Sequence, residues 1–182
     1  DVLAKLGAST VSLPGSQIYE NLVSGAIQAT EWVGPYNDYF MKFYEAAKFY
    51  YYPGMHEPAS QLHMGMNKKW WDGLSKTDQA IIEAACHEEN SHQMAETNAN
   101  NGTYLNKLIN DHGVKVRAFN DDVYDAFGKA AEEVFAEVQA HSPLAKKIHE
   151  SFLTSRADLG RWMILADSGY INQRNRVLGI KV

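Results

Sequence analysis

Between Ser75 and Gly113 the sequence carries one long helical signal, and this constrains the fold more than any other feature of the 182 residues. Ser75-Lys-Thr-Asp78 has the form of a capping box, in which a hydroxyl and an acid three residues on satisfy open backbone amides. Apolar residues recur at Ile81, Ile82 and Ala85, then at Leu105, Leu108 and Ile109, before Asn110-Asp-His-Gly113 supplies a stop. A second helix follows the cap Asn120-Asp121-Asp122, with Val123, Phe127, Ala131, Val134, Phe135 and Val138 on its apolar face. Ser142-Pro143 restarts a third, a cap followed by proline at the first helical position. Ile148, Phe152, Leu159 and Met163 form its expected buried stripe, and the helix is expected to extend past Trp162.

The strand signals are shorter. Ser9 to Leu13 is β-branched, and Gln28 to Val33 ends at Gly34-Pro35. Ser16 is a candidate cap for a helix between them, Gln17 to Ala26, with Ile18, Leu22 and Val23 apolar. Strand, helix and strand within about 25 residues is the grammar of an α/β unit. Lys48 to Tyr52, Ser60 to Asn67 and Lys115 to Phe119 read as further short strands. The aromatic run from Tyr36 to Tyr52 starts with helical spacing and serves chiefly as packing, with the rings nearest Glu31 as candidate pocket wall. The expected fold is α/β: few short strands under heavy helical cover, with a sheet completed by residues outside this chain. The expected division is a lobe over residues 1–119 and C-terminal helices over residues 120–182.

Composition excludes several functions. A formal net charge of -5 argues against a nucleic-acid partner, because phosphate recognition needs a basic surface. No run approaches the roughly 18 apolar residues of a membrane span, and no signal-peptide pattern is visible. The single cysteine, Cys86, forms no internal disulfide and reads as a small apolar residue on a buried helix face. Cys86-His87-Glu88-Glu89-Asn90-Ser91-His92 superficially resembles a zinc helix. His87 and His92 are five apart, however, so on a helix they diverge by roughly 140° and cannot share a metal. The serine-nucleophile elbow and both glycine-rich phosphate loops are absent from the sequence. Asn101-Gly-Thr103 fits the short glycosylation triplet, but within a helical stretch.

Two carboxylates stand out. Glu31 lies at a strand end beside Trp32 and before Gly34-Pro35, and strand ends are where open α/β sheets hold ligands. Glu57 sits in Pro53-Gly54-Met55-His56-Glu57-Pro58, a loop bracketed by prolines. Fixed carboxylates among aromatic rings suit a hard cation or a small polar ligand. The same pair also suits general acid/base catalysis, and the residues alone leave both readings open. A third reading is a helical interaction module over Asn120 to Asn172.

Four stretches, taken in order, carry a resemblance: Leu13-Pro14 with Tyr19-Glu20-Asn21-Leu22; Gly25-Ala26-Ile27-Gln28-Ala29-Thr30-Glu31-Trp32; Val33-Gly34-Pro35-Tyr36; and Tyr52-Pro53-Gly54-Met55-His56-Glu57-Pro58. The chain resembles the second lobe of a substrate-binding protein of the TRAP transporters, in the branch that takes 2-oxo acids or lactate with a metal ion. That resemblance implies periplasmic capture of a small carboxylate and delivery to a membrane permease, with no catalysis. It implies Na⁺ or Ca²⁺ bridging ligand and protein, held by the Glu31 side chain and the Trp32 backbone oxygen, with Glu57 touching ligand or metal. Tyr36 and Met55 join Glu31, Trp32 and Glu57 as ligand-binding positions. Many relatives carry an aromatic residue where Met55 stands, and methionine is the softer wall. The C-terminal helices of such proteins can form a homodimer. The family also grips the ligand carboxylate with an arginine, and the first arginine here is Arg117. Asp1 to Ala8 resembles the helix after that arginine. The arginine is therefore expected within about ten residues upstream, where it would form the bidentate contact, in a missing N-terminal lobe that also supplies a metal-binding glutamine.

Overall fold

The long helical signal folds as one uninterrupted helix, Lys76–Asn110. Its 35 residues span about 50 Å at the usual rise, well beyond the size of a typical globular helix. The start is as the sequence implies. Ser75 Oγ accepts from the Asp78 amide at 3.1 Å and donates to Asp78 Oδ2 at 2.7 Å. At the other end Gly113 takes the left-handed φ of 67° that glycine adopts without a Cβ clash. That turn returns the Val114 amide to the Leu108 carbonyl at 3.0 Å, and both residues are buried.

A computed structural model describes residues 1–55 and 62–181. Two compact units divide the chain, residues 1–11 with 119–182 and residues 12–118. Helix α1 (Val2–Lys5) belongs to the first. The second contains α2 (Gly15–Ser24), α3 (Pro35–Phe40), α4 (Phe43–Ala46), β1 (Phe49–Tyr52), α5 (Lys68–Asp72), the long helix α6 (Lys76–Asn110) and β2 (Lys115–Ala118). The strands pair in parallel, Phe49 with Lys115 through Tyr52 with Ala118. Parallel neighbours require a long crossover, which α5 and α6 provide. One core cluster joins Ile18 and Leu22 of α2 to Phe43 of α4, with Leu13, Tyr19, Ile27 and Met41 against it. Rings of α3 and α6 form another contact layer: Tyr104 lies 5.0 Å from Tyr36, 4.9 Å from Tyr39 and 5.3 Å from Phe40.

The first unit adds α7 (Asp121–His141), α8 (Pro143–Met163), one π-helical turn (Ile164–Ser168) and α9 (Gly169–Leu178). Lys5 of α1 reaches Glu137 at 2.8 Å and Glu133 at 3.5 Å on α7. Ser142 caps α8 by accepting from the Ala145 amide, as the serine-proline pattern implies. The helix does run past Trp162, through the π turn.

Several sequence expectations fail. Residues 9–13, 28–33 and the described part of 60–67 lie in no strand. β-branched pattern alone supplies no ladder partner, and around residue 33 the amides go elsewhere: Val33 and Gly34 donate to the Asp38 side chain. Helix α2 starts at Gly15, which places Ser16 inside the first turn rather than at the cap. The α8 stripe is exposed at Ile148, Phe152, Leu159 and Met163, and Val23, Phe135 and Val138 are exposed as well. Helical periodicity marks an apolar face and is silent on what covers it. Cys86 is also exposed, on α6.

Leu108 is the most buried apolar side chain of the described core, at 2% exposure. Leu108→Ala is expected to cost about 2–5 kcal/mol through lost burial and the cavity left behind. Urea unfolding of both proteins measures this, and a cost below about 1 kcal/mol would show that α6 contributes little to the core there.

Candidate ligand-binding site

The segment from Glu31 to Tyr36 enters α3, and its conformation follows from the start of that helix. Gly34 is the N-cap and Pro35 the first helical residue, so no side-chain cap and no proline amide are available. Two side chains from further along the chain satisfy the open amides instead. Asn101 Oδ1 of α6 accepts from the Tyr36 amide at 3.1 Å. It approaches so closely that a Cβ on Gly34 would lie 3.3 Å from it, which favours glycine there. Asp38 Oδ1 accepts from the amides of Val33 and Gly34, both at 3.3 Å.

Asp38 is buried, at 8% exposure. Its second oxygen accepts from the Tyr50 hydroxyl at 2.6 Å, the distance of a charge-assisted O–H···O bond. Tyr50 lies on β1, and β1 runs into Tyr52-Pro53-Gly54-Met55. One carboxylate thus ties the Glu31 segment to the strand that leads to the second predicted site segment. Burial pushes Asp38 above its ordinary value, with the Glu31 charge adding to the shift. The bonds from Tyr50, Val33 and Gly34 oppose it. Burial, then the Asp38 charge, pushes the Tyr50 phenol far up, so Tyr50 keeps its proton and remains the donor.

The expected site residues fall as follows. Glu31 is exposed, and its electrostatic effect on Asp38 places its charge near that buried group. Trp32 is 38% exposed and its ring covers the first turn of α2: a Cβ on Gly15 would stand 2.7 Å from Trp32 Cη2. Tyr36 is half-buried on α3, and its hydroxyl donates to Glu96 of α6 at 3.2 Å. The Glu96 charge, first, and burial raise the Tyr36 phenol. Met55 is half-buried three residues beyond β1. Glu57 lies outside the described residues. Asp38, Tyr50 and Asn101 were missed. The sequence shows Asp38 as an ordinary acid in the first turn of a helix. Asn101 drew notice only as part of a glycosylation triplet, whereas its side chain is engaged with α3.

Residues 1–142 match the family of bacterial extracellular solute-binding proteins, family 7. The chain belongs to this family, whose members are solute-binding proteins rather than enzymes. It is 33% identical over 94% of its length to a monocarboxylate 2-oxoacid-binding periplasmic protein of Nostoc, of which it covers 47%. A TRAP transporter solute-binding protein of Bordetella bronchiseptica superposes with a TM-score of 0.90 at 33% identity, covering 98% of this chain and 53% of the other. That structure is a mixed-occupancy dimer with copurified calcium and picolinate in one site. A TRAP periplasmic solute-binding protein of Pseudoalteromonas atlantica, with bound sodium and pyruvate, superposes at 0.88 with 34% identity, covering 94% and 52%. The chain spans about half the length of these relatives.

Two outcomes follow. Folding raises the Asp38 value above its ordinary 3.8, so the folded protein holds this proton more tightly than the unfolded chain. That stabilisation is complete below 3.8 and is lost as pH rises through the folded-state value. Asp38→Asn does not titrate, so its stability relative to the unsubstituted protein should rise as pH increases through that window. Urea melts at stepped pH read this, and parallel profiles would contradict it. Separately, Gly15→Ala must displace the Trp32 ring. Trp32 emission, with the other tryptophans replaced by phenylalanine, should shift, and an unchanged spectrum would mean that α2 yields instead.

Proposed function

We propose that this chain contributes half of the grip of a periplasmic solute-binding protein that captures a small 2-oxo or 2-hydroxy monocarboxylate and delivers it to TRAP permease subunits. The carrying observation is electrostatic. Glu31 and the buried Asp38 concentrate negative charge beside a segment that, on this reading, receives an anion. Like charges there would repel the ligand, and a bound cation reverses that repulsion. The available donors are all oxygen, which suits Na⁺ or Ca²⁺.

Glu31 supplies a carboxylate and Trp32 a backbone carbonyl to that ion, with Glu57 as a further carboxylate toward ion or ligand. When bound, the cation links the ligand carboxylate to these oxygens. Tyr36 and Met55 line the ligand, and the unbranched thioether of Met55 lets the wall adapt to different side chains. Residues 1–119 form the ligand-binding lobe. Residues 120–182 form the helices that meet the rest of the protein or a second copy. The arginine that pairs with the ligand carboxylate comes from the N-terminal lobe. Support comes from relatives about one-third identical that carry calcium or sodium with pyruvate or picolinate.

Calorimetry on the full-length protein with pyruvate, lactate and longer 2-oxo acids tests this, before and after chelation or sodium removal. Binding is expected to depend on the ion, and Glu31→Ala is expected to abolish it while leaving the unfolding midpoint unchanged. Failure of every such acid to bind under every ion condition would sink the proposal. Unchanged affinity in Glu31→Ala would remove that residue from the site.

A further inference from the structure

The Asp38 carboxylate is engaged with the site segment and with β1, yet it faces no ligand on the reading above. Oδ1 accepts the two consecutive amides that follow the Trp32 carbonyl, at Val33 and Gly34, and Oδ2 accepts from Tyr50. The peptide unit joining Trp32 to Val33 carries the Trp32 carbonyl at one end and the Val33 amide at the other. Because a peptide unit is planar, fixing the amide fixes the direction of the carbonyl. Tyr50 then references the carboxylate to a paired strand rather than to a loop. The Asp38 amide also donates to the Gly34 carbonyl at 2.8 Å, so the same residue closes the first turn of α3.

We propose that Asp38, held by Tyr50, is a positioning residue that aims the Trp32 carbonyl and thereby sets the cation site. This rests on the assignment of Trp32 as a cation ligand. Buried partners fixed by packing set the geometry of the groups that touch a metal, and loss of such a partner commonly weakens metal affinity by about 10–100-fold. The amide side chain in Asp38→Asn keeps an oxygen for Val33 and Gly34, and its NH₂ can donate to the Tyr50 oxygen. Asp38→Ala removes every acceptor. Tyr50→Phe removes only the tether to β1 and keeps the ring.

The experiment uses the full-length protein and has two readouts. The first, on ligand-free protein, is hydrogen exchange at the Val33 and Gly34 amides. Asp38→Ala and Tyr50→Phe should each accelerate it about tenfold or more, and Asp38→Asn by much less. The second is calcium-dependent binding of pyruvate by calorimetry. Asp38→Ala should lose about tenfold or more, Tyr50→Phe a smaller factor, and Asp38→Asn should recover most of the affinity. Unchanged exchange in both Asp38→Ala and Tyr50→Phe overturns the proposal. So does full pyruvate affinity in Asp38→Ala, or an Asp38→Asn defect as large as that of Asp38→Ala. If Asp38→Ala does not fold, Tyr50→Phe and Asp38→Asn decide by the same criteria. Loss of pyruvate binding in the unsubstituted protein would instead defeat the functional reading, and the exchange rates would still report whether Asp38 holds the segment.

Discussion

A carboxylate buried between a helix start and a strand organises the candidate site. Removing Asp38 from water raises the cost of its charge, and three donors offset that cost: the amides of Val33 and Gly34 and the hydroxyl of Tyr50. Helix α3 can therefore begin at a glycine and a proline with no cap of its own. The aromatic face of α3, once placed, meets Tyr104 of α6, and Lys107 lies 4.5 Å over that ring. The site segment, the strand and the long helix are thus linked by short-range polar contacts, while α2 and α4, which flank the segment and α3 in the sequence, form an apolar core of their own.

What was legible followed locality. The capping box at Ser75, the left-handed stop at Gly113 and the serine-proline start at Ser142 are each decided within a few residues, and all three fold as their chemistry implies. The strands at Phe49–Tyr52 and Lys115–Ala118 were also legible. Ser9 to Leu13 and Gln28 to Val33 carry more β-branched residues than either strand, but a strand exists only through a neighbour, and a local pattern cannot name one. Asp38 and Asn101 were missed for a related reason. Their roles depend on groups brought from 12 and 65 residues away, Tyr50 and Tyr36. Glu31 beside Trp32 stands out from the residues alone, whose physics leaves catalysis and cation binding undecided, and the choice of cation binding comes from the family resemblance.

Membership of the solute-binding family also gives the exposed apolar surface a context. Relatives of about twice this length share the fold of the chain closely. Among the described residues the parallel sheet has two strands and leaves Phe49, Tyr51 and Tyr52 exposed, whereas parallel sheets are ordinarily covered on both faces.

The π turn between α8 and α9 has a geometric consequence. At Gly169 a Cβ would stand 2.9 Å from the Ile164 carbonyl oxygen, so glycine accommodates the wider loop of backbone. Such a turn amounts to one extra residue inserted into an otherwise continuous helix, a phase slip of about 100°. With that slip the apolar residues before it, among them Ile148, Phe152 and Leu159, and two of those after it, Ile171 and Leu178, share one face of the rod, which an unbroken α-helix would not give them. A flat surface laid along the first set therefore meets the second as well, and leaves Tyr170 and Val177 to one side.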